Sequence, residues 1–414
     1  MSTPPEAGPA RRAAERAARE SYGRLVAFLA SRSGDVAAAE DALALAFAAA
    51  LRQWPVEGVP ERPEAWLHAV AKRRQLDELR RHADDVRLAA DWRVLLDEAL
   101  PEADELPDRR AALLFACAQD GIEPAIRAPL MLQTVLGLTA AQIAEAFLMA
   151  PATLGQRLVR AKARIKRDGL AFALPDRADL PARVASVLDA VYAAYTKGWS
   201  EPDPAAGIAM AEEAIWLATV VTGLLPDEPE ARGVLSLMLY AEARRRARTD
   251  AAGDFVPLSE QDVTRWDARM IELATRLLQA ANDAPASGRF QVEAAIQSAQ
   301  VSRRLGGTAT LDDIVRLYDL LALLAPSPVV RLNRALAIAQ RDGPAAALPL
   351  LDELDTDERM ATYQPYWAAR ASVLAGLGLR DMAQVAFRQA IGLSSNAAVR
   401  SWLQRQSDGL GSVR

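Results

Sequence analysis

The chain has 414 residues, 51% hydrophobic, 6% aromatic and 25% charged, which is enough for two or three domains with large cores. One cysteine, Cys117, and two histidines, His68 and His82, exclude an internal disulfide and a metal site built on cysteine or histidine. A formal net charge of −5 excludes a uniformly basic nucleic-acid binder and turns attention to local basic runs.

Alanine and leucine dominate, and glycine and proline cluster between periodic segments, so the chain is expected to be all-α. Residues 1–10 read as disordered. From Arg11 to Leu51 the pattern is helical, carried by Tyr22, Leu25, Val26 and Leu29 and then by Val36 onward, with Trp54-Pro55 as its end. After a loop at Gly58, Pro60 and Pro63, a further helix runs to about His82 on the apolar side Trp66, Leu67, Val70, Leu76 and Leu79. Its second half holds Arg73, Arg74, Arg80 and Arg81. Arginines seven residues apart share a face, which suits phosphates as well as solvent. Trp66 reads as a core anchor, and Asp77 as a residue that either orients Arg74 or Arg81 or touches nucleic acid. Residues 83–108 read as an acidic linker with a short helix near Trp92, Leu95 and Leu96.

A compact helical unit is expected over 109–170. Thr139 and Gln142 have the spacing of a capping box, and Ile143, Ala144 and Phe147 give the helix they start an apolar face. Met149-Ala150-Pro151 breaks the pattern, and Pro151 suits the first position of the next helix. There Leu154, Leu158, Ala161 and Ile165 form one face, while Thr153, Gln156, Arg157, Arg160 and Arg164 fall on another. From Ala152 to Arg167 there are six basic residues, Lys162 and Lys166 among them, and no acid. This pattern fits a helix-turn-helix that reads the major groove, and it also fits an ordinary helix hairpin with a solvated basic face.

Pro175–Pro181 reads as a connector. Over 180–414 helices alternate with breaks near Gly198–Pro204, Pro226–Pro229, Gly253–Pro257, Ala284–Gly288, Gly306-Gly307, Pro326–Pro328, Gly343 and Gly378, as in stacked helix pairs. Gly378, Ala383, Phe387 and Ala390 resemble the small and aromatic positions of a tetratricopeptide (TPR) repeat, so the array is expected to be TPR-like and divergent. The basic run Arg244-Arg245-Arg246 with Arg248 is either a partner site or paired within its domain by acids such as Asp254 or Glu260. No apolar run reaches transmembrane length and no signal-peptide core is evident, so a soluble, cytoplasmic protein is expected.

Together these segments resemble the sigma-70 family of bacterial RNA polymerase initiation factors, in its small extracytoplasmic-function (ECF) form. Ala39-Glu40-Asp41-Ala42-Leu43 with Ala46-Phe47 resembles the helix that binds the polymerase clamp. Pro63-Glu64-Ala65-Trp66-Leu67 with Arg73, Arg74, Asp77, Arg80 and Arg81 resembles the helix that melts the promoter and reads its −10 element. Residues 123–168 resemble the domain that binds the −35 element, and Gln156-Arg157-Leu158-Val159-Arg160-Ala161-Lys162 its recognition helix. Leu225-Pro226-Asp227-Glu228-Pro229-Glu230, Ala247-Arg248-Thr249-Asp250, Gln261-Asp262 with Trp266-Asp267, and Ala325-Pro326-Ser327-Pro328 with Leu332-Asn333-Arg334-Ala335 resemble the ECF subgroup that carries a long TPR-like domain. Two places depart from the pattern. Ala44 and Leu45 stand where the family usually has glutamine and an acid, and Tyr195-Thr196-Lys197-Gly198-Trp199 stands where the subgroup usually has Phe-Asn-Glu-Gly-Tyr.

The resemblance implies a clamp- and −10-binding sigma domain over 11–82, a linker over 83–108, a −35-binding helix-turn-helix domain over 109–170 and a regulatory TPR-like domain over 180–414. It implies polymerase contacts at Glu40, Asp41, Leu43 and Phe47. DNA contacts are expected at Arg73, Arg74, Asp77, Arg80, Arg81, Thr153, Gln156, Arg157, Arg160, Lys162 and Arg164. The partners it implies are core RNA polymerase and promoter DNA, with a protein partner for the carboxy-terminal array; no membrane, catalytic residue, metal or cofactor is expected. Two other readings remain open: a degenerate sigma factor that works mainly as a TPR-like scaffold, and a stand-alone helix-turn-helix regulator.

Overall fold

A computed structural model describes residues 8–82, 109–147, 149–168, 179–201, 203–284 and 287–411. Among these the regular structure is helical, with one isolated antiparallel bridge between Thr249 and Phe255. The fold is all-α. The chain divides into two compact units, Met1–Ala194 and Tyr195–Arg414.

The first unit opens with α1 (Pro9–Ser33), α2 (Val36–Glu57) and α3 (Pro63–His82), which pack on one another. Leu25, Val26 and Leu29 of α1, Leu43, Ala46 and Ala50 of α2 and Leu67 and Ala71 of α3 are buried in their shared core. Trp66 meets the buried Trp54 edge to face, with ring centroids 5.5 Å apart. His68 is buried edge-on to Phe28 at 5.1 Å. Two boundaries differ from expectation. Helix α1 begins at Pro9 rather than Arg11, because proline at the first position gives up an N–H that has no partner there. Pro55 does not end α2. It lies in the last turn, where one backbone bond is lost at most, and Gly58 at φ 90° stops the helix with its N–H on the Trp54 carbonyl. The expected linker helix, residues 83–108, lies outside the described residues.

Four more helices follow in this unit: α4 (Arg110–Cys117), α5 (Pro124–Leu136), α6 (Ala140–Ala146) and α7 (Pro151–Asp168). Cys117 is fully buried with its sulfur 3.7 Å from the Thr134 hydroxyl, and burial pushes the thiol up to about 12, as befits an inert core residue. Helices α1 and α5 meet at a glycine: a Cβ on Gly23 would lie 1.8 Å from the Val135 carbonyl oxygen. Gly137, at φ 66°, ends α5 against the ring of Tyr22. The helices on either side of residues 83–108 therefore share one seam.

The division between units falls within α8 (Leu180–Ser200). Leu180 and Pro181 are already helical, so the expected connector stops short of them, and its residues 175–178 lie outside the described part. The second unit continues with α9 (Pro204–Leu224), α10 (Pro229–Glu242), α11 (Ala268–Ala281), α12 (Arg289–Arg304), α13 (Leu311–Leu324), α14 (Pro328–Asp342), α15 (Pro344–Leu354), α16 (Glu358–Ala361), α17 (Gln364–Gly376), α18 (Arg380–Leu393) and α19 (Ala397–Gly411). Gly198 of α8 and Gly207 of α9 lie back to back, each leaving no room for a Cβ against the other's carbonyl. From α9 to α15 successive helices pack on one another, α15 packs on α17 past the short α16, and α10 packs on both α11 and α12. The Glu230 carboxylate of α10 accepts the first free N–H groups of α12, from Phe290 at 2.9 Å and Gln291 at 3.0 Å. In the last pairs Ala383, Phe387 and Ala390 bury against Ala371, Leu374 and Leu403, and Gly378 makes the turn at φ 74°.

Two expectations for this unit need correction. Residues 243–267 form a long irregular segment with three 3₁₀ turns and the Thr249–Phe255 bridge, not a simple break at Gly253–Pro257. And one described helix, over Ala205–Leu224, is long and apolar enough by length and composition to cross a membrane, with a mean hydropathy of 1.3. Its Ala211, Ala214, Leu217, Ala218 and Val221 are buried in the unit, and it carries Glu212 and Glu213 near its middle.

Candidate nucleic-acid and polymerase surfaces

The helix pair α6 and α7 is built by local rules. Thr139 Oγ1 accepts the Gln142 N–H at 3.3 Å, and Gln142 Oε1 accepts the Thr139 N–H at 3.0 Å, closing the capping box. Pro151 starts α7 after a turn, and Leu154, Leu158 and Ile165 are buried as one face. Thr153, Gln156, Arg160 and Arg164 are exposed, while Arg157 and Lys162 are half-buried. Arg157, Arg160 and Arg164 line a groove with Ile122, Glu123 and Ile126.

The half-buried cations of α7 are spoken for inside the unit. Arg157 forms an ion pair with Glu123, just before α5. Lys162 forms one with Glu40 of α2, in a setting where the two side chains are only 12% and 15% exposed. Burial, opposed by Lys162, holds the Glu40 carboxyl above its ordinary range. One turn further on, Lys166 Nζ lies 2.9 Å from Asp35, the residue whose carboxylate caps α2 by accepting the Ala38 N–H at 3.0 Å. Arg164 pairs instead with Asp168 of its own helix, at 3.1 Å.

On α2, Asp41, Ala44 and Leu45 are exposed, Leu45 to 52%. Phe47 is half-buried. Leu43, one of the four residues expected to meet polymerase, is fully buried: its place on the inner face of α2 makes it a core residue that holds the helix. On α3, Arg73 and Arg74 are exposed. Asp77, Arg80 and Arg81 fall in the same helix, but their side chains lie outside the described residues. Glu64 in the first turn of α3 accepts hydrogen bonds from Ser21 and Arg24 of α1, which fixes the helix against its neighbour.

The structure thus brings Glu40 and Lys162, 122 positions apart, into contact. Their sequence motifs point to different surfaces, and Glu123 and Asp35 carry no motif at all. No local signal marks these pairings, since helical periodicity says which face is polar and nothing about what it meets.

In the second unit the basic run is also partnered differently from expectation. Arg245 bonds Glu242 at 2.6 Å. Asp254 pairs with Arg405 at 2.9 Å, and neither Asp254 nor Glu260 meets the run. Two of the motif residues here serve as caps, Asp262 and Asp267, and between them Arg265 bonds the Thr249 carbonyl at 2.8 Å.

A helical amino-terminal unit with two exposed arginines on α3 and a basic α7 is the kind of scaffold a DNA-binding transcription protein presents. Residues 18–84, which span most of α1 and all of α2 and α3, match the family described as sigma-70 region 2. Residues 183–282 match a family of unknown function, DUF6596. The chain belongs to the sigma-70 family, whose members act in transcription initiation with core RNA polymerase and promoter DNA. It is 35% identical, over 90% of its own length and 90% of the relative's, to an uncharacterised protein of Rhizobium meliloti (strain 1021), so both units are shared in one arrangement along the chain. No solved structure matches it significantly.

Proposed function

We propose that the protein is an ECF-type sigma factor that directs core polymerase to specific promoters and whose activity is modulated by its fused carboxy-terminal TPR-like domain. The observation that carries this reading is the combination of the region 2 match over 18–84 with the exposed basic face of α7, which lacks any acid from Ala152 to Arg167. Glu40, Asp41 and Phe47 on α2 then serve the polymerase contact. Arg73, Arg74, Asp77, Arg80 and Arg81 on α3 serve the −10 element. On α7, Gln156, Arg157 and Arg160 serve base edges or phosphates of the −35 element, Thr153 lies on the same DNA-binding face, and Lys162 and Arg164 hold the backbone. Such a role involves no bond chemistry and takes place in the cytoplasm.

The ion pairs of Glu40 with Lys162 and of Asp35 with Lys166 support a further feature of this reading. A residue for the clamp and a residue for DNA are held against each other, so full engagement of polymerase and promoter requires α2 and α7 to part. The exposed Leu45, in a place where the family carries an acid, favours the scaffold reading as the alternative.

The test is transcription in vitro with core polymerase from a mapped target promoter. Wild type should support initiation, and Arg160→Ala should weaken it and alter promoter preference. Truncation near residue 175 should change the rate in one direction. Wild type that neither copurifies with core polymerase nor supports initiation would transfer the assignment to the scaffold.

A further inference from the structure

The run Arg244-Arg245-Arg246-Ala247-Arg248 is not used by any part of the proposed sigma activity. It closes α10 and forms a 3₁₀ turn, and three of its arginines gather beside α8. Arg248 lies over the indole of Trp199, its guanidinium carbon 3.7 Å from the ring centroid, and the Arg245 guanidinium carbon is 5.6 Å from the same centroid. Arg244 is buried and donates only to neutral oxygens, the Tyr240 carbonyl at 3.1 Å and the Gln297 side chain at 2.5 Å.

The charge in this cluster does not balance. Among the described residues one carboxylate, Glu242, serves it, by accepting from Arg245 Nε at 2.6 Å and from the Tyr195 hydroxyl at 3.3 Å. Three guanidiniums therefore face one carboxylate. Among the described residues Arg248 has no side-chain hydrogen bond and no ion pair, and its burial together with nearby Arg245 lowers its proton affinity to a value of about 10. The buried Nη2 of Arg245 also lacks a partner, and Nε1 of Trp199 has only the Tyr195 hydroxyl beside it, outside good bonding geometry. Every unmet group here is a donor. Buried donors without acceptors are costly, and an acceptor-only group carrying two charges would answer all of them.

We propose that Arg245, Arg248 and Trp199 form a binding site for a small phosphate-bearing ligand. Two guanidinium forks on one ring suit the oxygens of a phosphoryl group better than a single carboxylate. The side chain of Arg245 is 21% exposed and Arg248 is likewise half-buried, so the site opens to solvent, while its recessed donors admit a small group. Arg244, deeper, adds a fixed positive charge beneath it.

The test uses the full chain and isothermal titration calorimetry at constant ionic strength, with inorganic phosphate, glycerol phosphate and acetate as probes. Wild type should bind the two phosphates and not acetate. Arg248→Gln should weaken binding at least about tenfold, and Arg248→Lys, which keeps the charge but not the fork, should fall between. Tighter binding of glycerol phosphate than of inorganic phosphate identifies an organic phosphate as the ligand; equal binding identifies free phosphate. Should Arg248→Gln fail to give the wild-type circular dichroism spectrum, Arg245→Gln and Arg248→Lys carry the comparison. The proposal is overturned by absence of phosphate binding, by affinity unchanged in all the folded variants, or by acetate binding as tightly as phosphate.

Discussion

Two clusters of recessed positive charge, one in each unit, are handled in opposite ways, although the second unit also holds a compensated case, Arg370 between Asp352 and Asp355. On α7 each half-buried cation finds a carboxylate from a distant segment: Lys162 meets Glu40 and Arg157 meets Glu123. At the end of α10 three arginines share one glutamate, and Arg248 rests on a tryptophan. Compensated charge stabilises a closed arrangement that a competing partner must break. Uncompensated charge is a vacancy for a partner of opposite sign. The same residue type therefore implies displacement in one cluster and addition in the other.

The largest effect that could break this contrast is at Lys162. Lys162→Met leaves Glu40 buried without its counter-ion and should destabilise the first unit by about 3 kcal/mol. Glu40→Gln in the same chain should recover much of the loss. Urea unfolding of the two single variants and the double variant measures this, and strictly additive effects would show that the pair is not coupled.

Acid should single out the same unit. Burial first, then Lys72 and Arg32, holds His68 down at about 4, against an ordinary value of 6.5. The unfolded chain takes up this proton near pH 6.5 while the folded chain does not until near pH 4. The contribution is thus fully present above that window and lost as pH falls through it, by about 3 kcal/mol. A His68→Leu variant should have a flatter profile across that range in thermal unfolding; an unchanged slope would mean that the imidazole is not held neutral.

A smaller loss, about 2 kcal/mol, is expected for Gly23→Ala, whose methyl group would collide with the Val135 carbonyl and push α1 from α5. Because that seam also holds α7 near α2, limited proteolysis should detect opening of the first unit with the second intact. The smallest effect belongs to Arg405→Gln. Its pair with Asp254 joins residues 151 positions apart but is 50% and 32% exposed, so its loss should cost less than about 1 kcal/mol. A cost equal to that of Lys162→Met would erase the distinction between buried and surface pairs on which the comparison rests.

Much of the fold is legible in the sequence because its punctuation is local. The Thr139–Gln142 box, Pro151 and the glycines and prolines between the later helices act within a turn or two of themselves, and the structure has its breaks there. Pro55 does not end the helix because it forgoes one N–H bond, to the carbonyl four residues before it, while the residues after it still bond backwards until Gly58 stops them. The irregular stretch 243–267 shows in sequence only as a break, because its order comes from ties such as Arg265 to the Thr249 carbonyl, which leave no periodicity. The surfaces were legible as faces and illegible as contacts. That α7 is basic can be read from spacing, but that Lys162 lies on Glu40 requires knowing how α1 and α5 meet at Gly23.

The Glu230 clasp on α12 changes how the carboxy-terminal array comes apart. In a simple stack each element touches only its neighbours, and the array can unravel from an end one unit at a time. Here a carboxylate on α10 reaches past α11 to the start of α12, and α10 packs on both. These three helices are locked as one cooperative block, so fraying from the carboxy-terminus should halt at α12. Hydrogen exchange should accordingly find α10 to α12 opening together, later than α17 to α19.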